Sequence, residues 1–180
     1  MKKFIAGCDS TESGLKRKFI LFAGFTAGMR KNEIAYSRPS WFDFKKKRII
    51  VPGFDDFSGF TSKNRRTRYI PLDKTFGKFL LKEYTTWRKE DFMISGDGTE
   101  SSAFSRYDFR KTFRTLREEV GMPHVTIHAM RHSYCTILAT KNNSPESIAE
   151  FMGDDVKVIR EHYLHYVNQY PKLKHKAFYL

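Results

Sequence analysis

The sequence has few cysteines, no long apolar run and a shortage of acidic side chains. Its two cysteines, Cys8 and Cys135, cannot form a disulfide framework, and we expect both to be reduced thiols. No cluster of cysteine and histidine has the spacing of a zinc site. The longest mostly apolar run, residues 19–29, is interrupted by glycines and is too short to cross a bilayer. The segment before Cys8 is too short for an export signal, so a cytoplasmic protein is expected.

Basic side chains far outnumber acidic ones. The 33 Lys and Arg residues against 20 Asp and Glu give a formal net charge of +13. A compact domain with this charge repels itself unless an anionic partner offsets it. Nucleic acid is the partner that the charge favours, and an acidic membrane surface is the second candidate. The length of 180 residues predicts one domain, and the hydrophobic content of 40% excludes a disordered chain.

The apolar spacing predicts a mostly helical α+β chain with a small three-stranded sheet near its N-terminal side. A first helix is expected from a cap at Ser10 or Thr11 to Gly28, and a second from Arg30 to Tyr36. Short apolar stretches predict an antiparallel meander of three strands at residues 41–44, 48–51 and 68–72. Further helices are expected near residues 73–89, 103–120, 127–141, 145–152 and 156–166.

Two pairs of residues have the chemistry of a phosphate site. Arginine forks bind phosphate oxygens bidentately, and His128 and Arg131 share one face at the start of a predicted helix, where the dipole favours an anion. A histidine and an arginine at this spacing are more often a packing histidine beside a surface arginine. Arg30 and Glu33 lie at a turn between two helices, and a pair with this spacing is usually a surface salt bridge.

Two further segments contain candidates for proton transfer and nucleophilic attack. Lys63 lies in a basic loop between two predicted strands, so it is either a solvated phosphate contact or a mobile acid for a leaving oxygen. Tyr163 stands between His162 and His165, and these neighbours make it a candidate nucleophile. A tyrosine at this spacing is more often a core or interface residue. Residues 144–158 also fit a helix-turn-helix, in which Tyr163 would only end a recognition helix.

Taken in chain order, these segments resemble the catalytic domain of the tyrosine recombinases, the phage integrase family. Ala-Gly-Met-Arg-Lys-Asn-Glu-Ile at 27–34 is similar to the family's Thr-Gly-Leu-Arg-x-x-Glu-Leu, and Lys63 lies in the expected strand-to-strand turn. His-Ala-Met-Arg-His-Ser-Tyr-Cys-Thr at 128–136 is similar to His-x-Leu-Arg-His-Thr-x-Ala-Thr. Met-Gly-Asp at 152–154 and Tyr-Leu-His at 163–165 correspond to Leu-Gly-His and Tyr-x-His. The resemblance covers residues 10–166.

The resemblance implies a fold, a reaction and a role for each residue. The fold would be that of a tyrosine recombinase catalytic domain, cleaving and rejoining DNA at specific sites to integrate or excise a mobile element. Arg30 and Arg131 would bind the scissile phosphate, with Glu33 orienting Arg30 or His128. His128 would take the proton of Tyr163, which attacks to form a 3′-phosphotyrosine, while Lys63 protonates the departing 5′ oxygen. No metal or other cofactor is expected, since the arginines supply the positive charge.

One position departs from the family pattern. Asp154 stands where the family has a histidine or a tryptophan, and a carboxylate there would repel a phosphate. We therefore expect Asp154 to face away and cap a helix starting near Val156, with His162 or His165 taking part of the missing role. Loss of one such donor costs a factor of about 10²–10³ in rate. A slow or condition-dependent enzyme is expected.

Double-stranded DNA is the expected partner, with no membrane. Two basic loops are expected to hold the DNA backbone without reading its sequence, and they comprise Lys45, Lys46, Lys47, Arg48, Arg65, Arg66 and Arg68. The family's habits imply a homotetramer on paired sites, with the basic tail at 167–180 packing on a neighbouring protomer. The chain is expected to be one catalytic domain over 1–180, without the DNA-clamping N-terminal domain of its family, and hence a fragment or a minimal member.

Three alternatives stay open. A type IB topoisomerase resembles this family in fold and catalytic residues and would relax DNA that lacks a specific site. A catalytically decayed regulator would bind DNA through the helix-turn-helix-like segment and form no covalent adduct. An RNA-binding domain is the least favoured, because the chain has no aromatic motif of the usual RNA modules.

Overall fold

One long helix organises the hydrophobic core. The computed structural model describes residues 1–86, 91–94 and 106–161. A short helix α1 spans Lys2–Ala6, and the central helix α2 spans Glu12–Ala27. Helix α2 begins where the hydroxyl of Thr11 accepts a hydrogen bond from Gly14 N at 3.2 Å, and it ends at Gly28, whose φ of 58° is left-handed.

Further helices follow α2 along the chain. They are α3 (Lys31–Tyr36), α4 (Lys74–Glu83), α5 (Arg106–Glu119), α6 (Ile127–Thr140) and α7 (Pro145–Met152). A further helix, α8, is described from 156 to 161. Helix α2 packs against both α4 and α6. Fully buried Phe19 lies at its centre, with ring centroids 5.6 Å from Phe76 and 6.0 Å from Phe42. Aromatic burial of this kind stabilises the core.

Two small antiparallel sheets interrupt the helices. Strands β1 (Phe42–Asp43), β2 (Arg48–Val51) and β5 (Arg68–Pro71) form one sheet in the order β1-β2-β5. Its cross-strand partners Ile49 and Ile70 are both fully buried. Strands β3 (Phe54–Asp55) and β4 (Phe60–Thr61) form a separate hairpin between β2 and β5. The three-stranded meander is confirmed, and the additional hairpin was not predicted.

Most predicted helices are confirmed, with differences at their ends. Helix α4 ends at Glu83 and not near residue 89, because Tyr84 turns out of the helical conformation and packs against Phe79 at 5.7 Å between ring centroids. Helix α1 is too short to carry a clear periodic pattern, and it was not predicted. In the described part of the chain, no helix has the length and apolar character needed to cross a membrane.

Candidate active site

Arg30 is held at the start of α3 by Glu33. Gly28 ends α2 in the left-handed region, and Arg30 two residues later is the N-cap of α3. The Glu33 carboxylate accepts hydrogen bonds from Arg30 N at 2.6 Å and from Arg30 Nη1 at 3.1 Å. The predicted pair with i, i+3 spacing therefore forms. The pair fixes the Arg30 guanidinium at a helix start, where an anion is also favoured.

Glu33 also binds Arg68 of β5 in a buried ion pair. Arg68 Nη1 and Nη2 donate to the two Glu33 oxygens at 2.5 and 2.6 Å, and Arg68 Nε donates to Phe151 O at 3.0 Å. Burial by itself would raise the pKa of Glu33, but the hydrogen bonds and charge of Arg68, with the charge of Arg30, bring it below its ordinary value. Arg68 is only 6% exposed, which corrects the expectation that it grips the DNA backbone. Its hydrogen bonds join α3, β5 and α7.

Arg131 is the buried arginine of the site. Helix α6 begins where Thr126 accepts a hydrogen bond from Ala129 N at 3.0 Å, and Arg131 follows in its second turn. Its Nη1 donates to Gly28 O at 2.5 Å, and its Nη2 donates to Met152 O. Burial and the nearby charge of Arg30 lower the pKa of Arg131 below its ordinary value. Main-chain carbonyls from two distant segments thus orient this guanidinium.

Asp154 bridges the two arginines. Its Oδ1 accepts from Arg30 Nη2 at 2.6 Å, and its Oδ2 accepts from Arg131 Nη2 at 2.7 Å. Partial burial would raise the pKa of Asp154, but the charges and hydrogen bonds of Arg131 and Arg30 lower it, so the group is a carboxylate. The expectation that Asp154 faces away and caps the next helix is therefore wrong. Asp155 takes that position, with its Oδ1 accepting from Lys157 N at 2.7 Å.

Gly153 allows this close approach. Its φ of 62° is left-handed, and a Cβ at this position would lie 3.0 Å from Arg68 Cδ and 3.3 Å from Arg30 Nη1. Its carbonyl also accepts from Arg30 Nη2 at 2.6 Å. Only a residue without a side chain combines this backbone conformation with arginines packed on either side.

One cleft of about 840 Å³ collects the predicted catalytic residues that the structure describes. Arg30, Lys63, His128, Arg131 and Asp154 all line it. His128 is exposed in the first turn of α6, its ring centroid 4.3 Å from that of His132, and Lys63 is exposed in the β4–β5 loop. The side chains come from segments that are up to 124 positions apart in the chain. His162, Tyr163 and His165 lie outside the described residues, so their roles stay predictions.

Helix α5 supplies three basic residues that the sequence analysis missed. Lys111, Arg114 and Arg117 line the same cleft. Their spacing of three residues places them on adjacent turns of one side of the helix, while Phe113 and Leu116 are buried. Arg117 Nη1 donates to Val125 O at 3.4 Å, and Lys111 and Arg114 are exposed. The regular spacing of these three basic residues was visible in the sequence, but their position in the same cleft as His128 was not.

The other predicted DNA-backbone residues lie in two places. Lys45, Lys46 and Lys47 are exposed in the β1–β2 turn, whereas Arg48 is partly buried over the Tyr69 ring, with its guanidinium carbon 4.3 Å from the ring centroid. None of these four lines the cleft. Arg65 and Arg66 are exposed in the β4–β5 loop, and Arg66 lines a smaller cavity that also touches Lys63 and Asp154.

Comparison with known families agrees with this arrangement. The model described as the Phage integrase family matches residues 1–169. The chain belongs to the phage integrase family.

Curated tyrosine recombinases are similar in sequence to this chain. It is 25% identical to tyrosine recombinase XerA of Pyrococcus horikoshii, over 85% of this chain and 50% of that protein. It is 20% identical to the tyrosine recombinase XerC-like protein of Caldanaerobacter subterraneus subsp. tengcongensis, over 91% of this chain and 48% of that protein. The chain thus spans about half the length of these relatives.

Solved structures share the fold of this family member. A crystal structure of XerA recombinase has a TM-score of 0.69 at 17% identity, covering 98% of this chain and 61% of that one. XerH site-specific recombinase bound to palindromic difH substrate has a TM-score of 0.70 at 20% identity, covering 96% and 49%. The Tn1549 transposon integrase in complex with transposon right end DNA has a TM-score of 0.68 at 17% identity, covering 94% and 63%. The predicted tyrosine recombinase catalytic fold is confirmed.

The segment that fits a helix-turn-helix has another role in this family member. Helix α7 packs against β5 and α6, with Ile148, Ala149 and Met152 buried. The main-chain carbonyls of Met152 and Gly153 accept hydrogen bonds from Arg131 and Arg30. The turn after α7 is therefore part of the wall of the cleft.

Proposed function

We propose that this chain carries out site-specific cleavage and rejoining of double-stranded DNA through a 3′-phosphotyrosine intermediate. The observation that carries the proposal is the cleft itself, in which Arg30, Arg131, His128 and Lys63 meet around a volume of about 840 Å³. These are the side-chain types that bind a phosphodiester and move its protons without needing a metal ion.

Arg30 and Arg131 bind the two nonbridging oxygens of the scissile phosphate in this proposal. Both guanidiniums are oriented in advance, Arg30 by Glu33 and Arg131 by the carbonyl of Gly28. Such preorganised charge stabilises the transition state because little reorganisation is needed when negative charge builds up on the phosphoryl oxygens.

Tyr163, His128 and Lys63 carry out the bond changes. The Tyr163 oxygen attacks phosphorus and gives its proton to His128, while the bond from phosphorus to the 5′ oxygen breaks and that oxygen takes a proton from Lys63. In the return reaction a 5′ hydroxyl displaces the tyrosine and each proton moves back. One phosphate ester replaces another at each step, so the bond energy is kept for rejoining.

A nicked suicide substrate tests this proposal. Cleavage close to a nick releases a short fragment, which prevents rejoining and traps the covalent complex. Wild type should give a protein–DNA band on a denaturing gel, and Tyr163→Phe should give none. Tyr166→Phe, which removes a hydroxyl three residues away, is the matched control and should retain the band. A band of equal strength with Tyr163→Phe would exclude Tyr163 as the nucleophile.

Integration or excision of a mobile element is the biological setting that we propose, with a homotetramer assembled on paired sites. The similarity in fold to the Tn1549 transposon integrase supports this choice. Dependence of strand exchange on two matching sites would support recombination. Relaxation of a supercoiled plasmid without such a site would instead favour a type IB topoisomerase.

One observation favours a second function, that of a DNA-binding regulator without cleavage activity. Asp154 places a carboxylate between the two arginines that would bind the phosphate. A regulator predicts DNA binding with no covalent band from wild type on the suicide substrate. The same gel therefore separates the two functions.

A further inference from the structure

Each carboxylate oxygen of Asp154 accepts a hydrogen bond from a different arginine. Oδ1 lies 2.6 Å from Arg30 Nη2, and Oδ2 lies 2.7 Å from Arg131 Nη2. Carboxylates and phosphates are bound by arginine in the same forked manner, through pairs of acidic oxygens. Asp154 therefore makes, within the chain, the contacts that the two nonbridging oxygens of a phosphodiester would make.

Main-chain carbonyls take the other hydrogen of each of these nitrogens. Arg30 Nη2 also donates to Gly153 O at 2.6 Å, and Arg131 Nη2 also donates to Met152 O. Each Nη2 carries two hydrogens, so the carbonyl and Asp154 together use both. A phosphate that binds these nitrogens must take the hydrogens that Asp154 holds.

We infer that Asp154 is a displaceable internal ligand that competes with the scissile phosphate for Arg30 and Arg131. This inference rests on the proposed function, because it assigns the arginine pair to phosphate. It makes Asp154 a specificity-determining residue, since only an anion that outcompetes the carboxylate engages both guanidiniums. It also explains how a carboxylate is tolerated at this position.

Asp154 is freer to move than Arg131, because it is more exposed and has fewer fixed contacts. The Arg131 side chain is 6% exposed and fixed by two carbonyls, whereas the Asp154 side chain is 24% exposed and lies in the turn between α7 and α8. The neighbouring Asp155 already accepts from Lys157 N at the start of α8, so that helix start keeps its cap when Asp154 leaves. Displacement requires a local side-chain rotation and no rearrangement of the arginines.

Under competition, the apparent affinity for phosphate is proportional to the fraction of molecules in which Asp154 does not bridge the arginines. If the carboxylate bridges the arginines in about nine-tenths of the molecules, apparent affinity falls about tenfold. Asp154→Asn removes the negative charge and should recover this factor. Asp155→Asn is the matched control, because it makes the same change of net charge one residue away and retains a good N-cap residue.

Titration with inorganic phosphate, followed by phosphorus NMR or calorimetry, tests the inference. Asp154→Asn should bind phosphate about tenfold or more tightly than Asp155→Asn, and Asp154→Ala should show the same gain. Adding Arg131→Gln to Asp154→Asn should abolish the gain, which locates the phosphate at the arginine pair. Thermal unfolding followed by circular dichroism establishes that each variant is folded.

Two results would overturn the inference. Equal phosphate affinity of folded Asp154→Asn and Asp155→Asn would mean that the carboxylate does not compete. Weaker binding by Asp154→Asn and Asp154→Ala would mean that Asp154 positions the arginines for phosphate. The proposed function fails separately: if wild type forms no adduct with DNA while Asp154→Asn still gains phosphate affinity, only the cleavage reaction is excluded.

Discussion

Glu33 and Arg68 form a buried, two-bond ion pair that joins helix α3 to strand β5. Both side chains are almost fully buried, and the two hydrogen bonds are 2.5 and 2.6 Å long. Because Glu33 also holds Arg30, the pair connects the stability of the core to the geometry of the cleft. Removal of one partner from a buried pair is costly, since the other charge stays buried without compensation.

Glu33→Gln should therefore destabilise the protein by about 3–5 kcal/mol. The measurement is urea unfolding followed by circular dichroism. The matched control is Glu146→Gln, which breaks an exposed pair with Arg160 whose side chains are 57% and 60% exposed. That change should cost no more than about 1 kcal/mol. Equal losses for the two variants would show that burial of the Glu33 pair adds nothing to stability.

Stability should fall in acid, partly because of the same group. The pKa of Glu33 and that of Asp154 are held below their ordinary values of 4.5 and 3.8, so each carboxylate binds protons less readily in the folded chain than in the unfolded one. Their contribution is complete above the ordinary values and is lost as pH falls through the lowered ones. Unfolding free energies measured between pH 7 and pH 3 should drop more steeply for wild type than for Glu33→Gln. Parallel profiles would contradict this assignment.

The basic side of α5 should contribute to DNA binding. Lys111→Gln and Arg114→Gln should each weaken binding to all DNA sequences similarly and should each lower the slope of log affinity against log salt by about 1. Lys78→Gln is the control, because Lys78 is an exposed lysine of α4 and does not line the cleft. Fluorescence anisotropy over a salt series makes the comparison. Equal slopes for the three variants would exclude a direct phosphate contact from α5.

Gly153→Ala should damage both stability and the site. The left-handed backbone costs an alanine about 1–2 kcal/mol, and the new methyl group would also press on Arg68 Cδ at 3.0 Å. Gly59→Ala is a matched control, since Gly59 has a φ of 65° and open space around the added Cβ. Gly59→Ala should show the backbone cost alone, and Gly153→Ala a larger loss with slower adduct formation. Equal losses of stability and unchanged adduct formation would contradict the tight packing of the arginines.

Features set by neighbouring residues were predictable from the sequence, whereas features set by distant residues were not. The caps and apolar spacing of α2 and the three strands were predictable, because each depends on neighbouring residues. The burial of Arg68 was not, since it depends on Glu33, 35 positions earlier, and the basic residues around Arg68 give no local sign of such a partner. Asp154 was expected to face away because a carboxylate repels phosphate, whereas in the structure the guanidiniums of Arg30 and Arg131 attract it.

The nucleophile is identified by finding the residue that carries the DNA after wild type has been trapped on the suicide substrate. Digestion of the trapped complex with protease and nuclease, followed by mass spectrometry, locates the nucleotide on the chain. We expect a 3′-linked nucleotide on the peptide that contains Tyr163, and a strong reduction of the same product in Arg131→Gln. A nucleotide on any other residue, or DNA that is bound but never joined to the protein, would contradict cleavage by Tyr163.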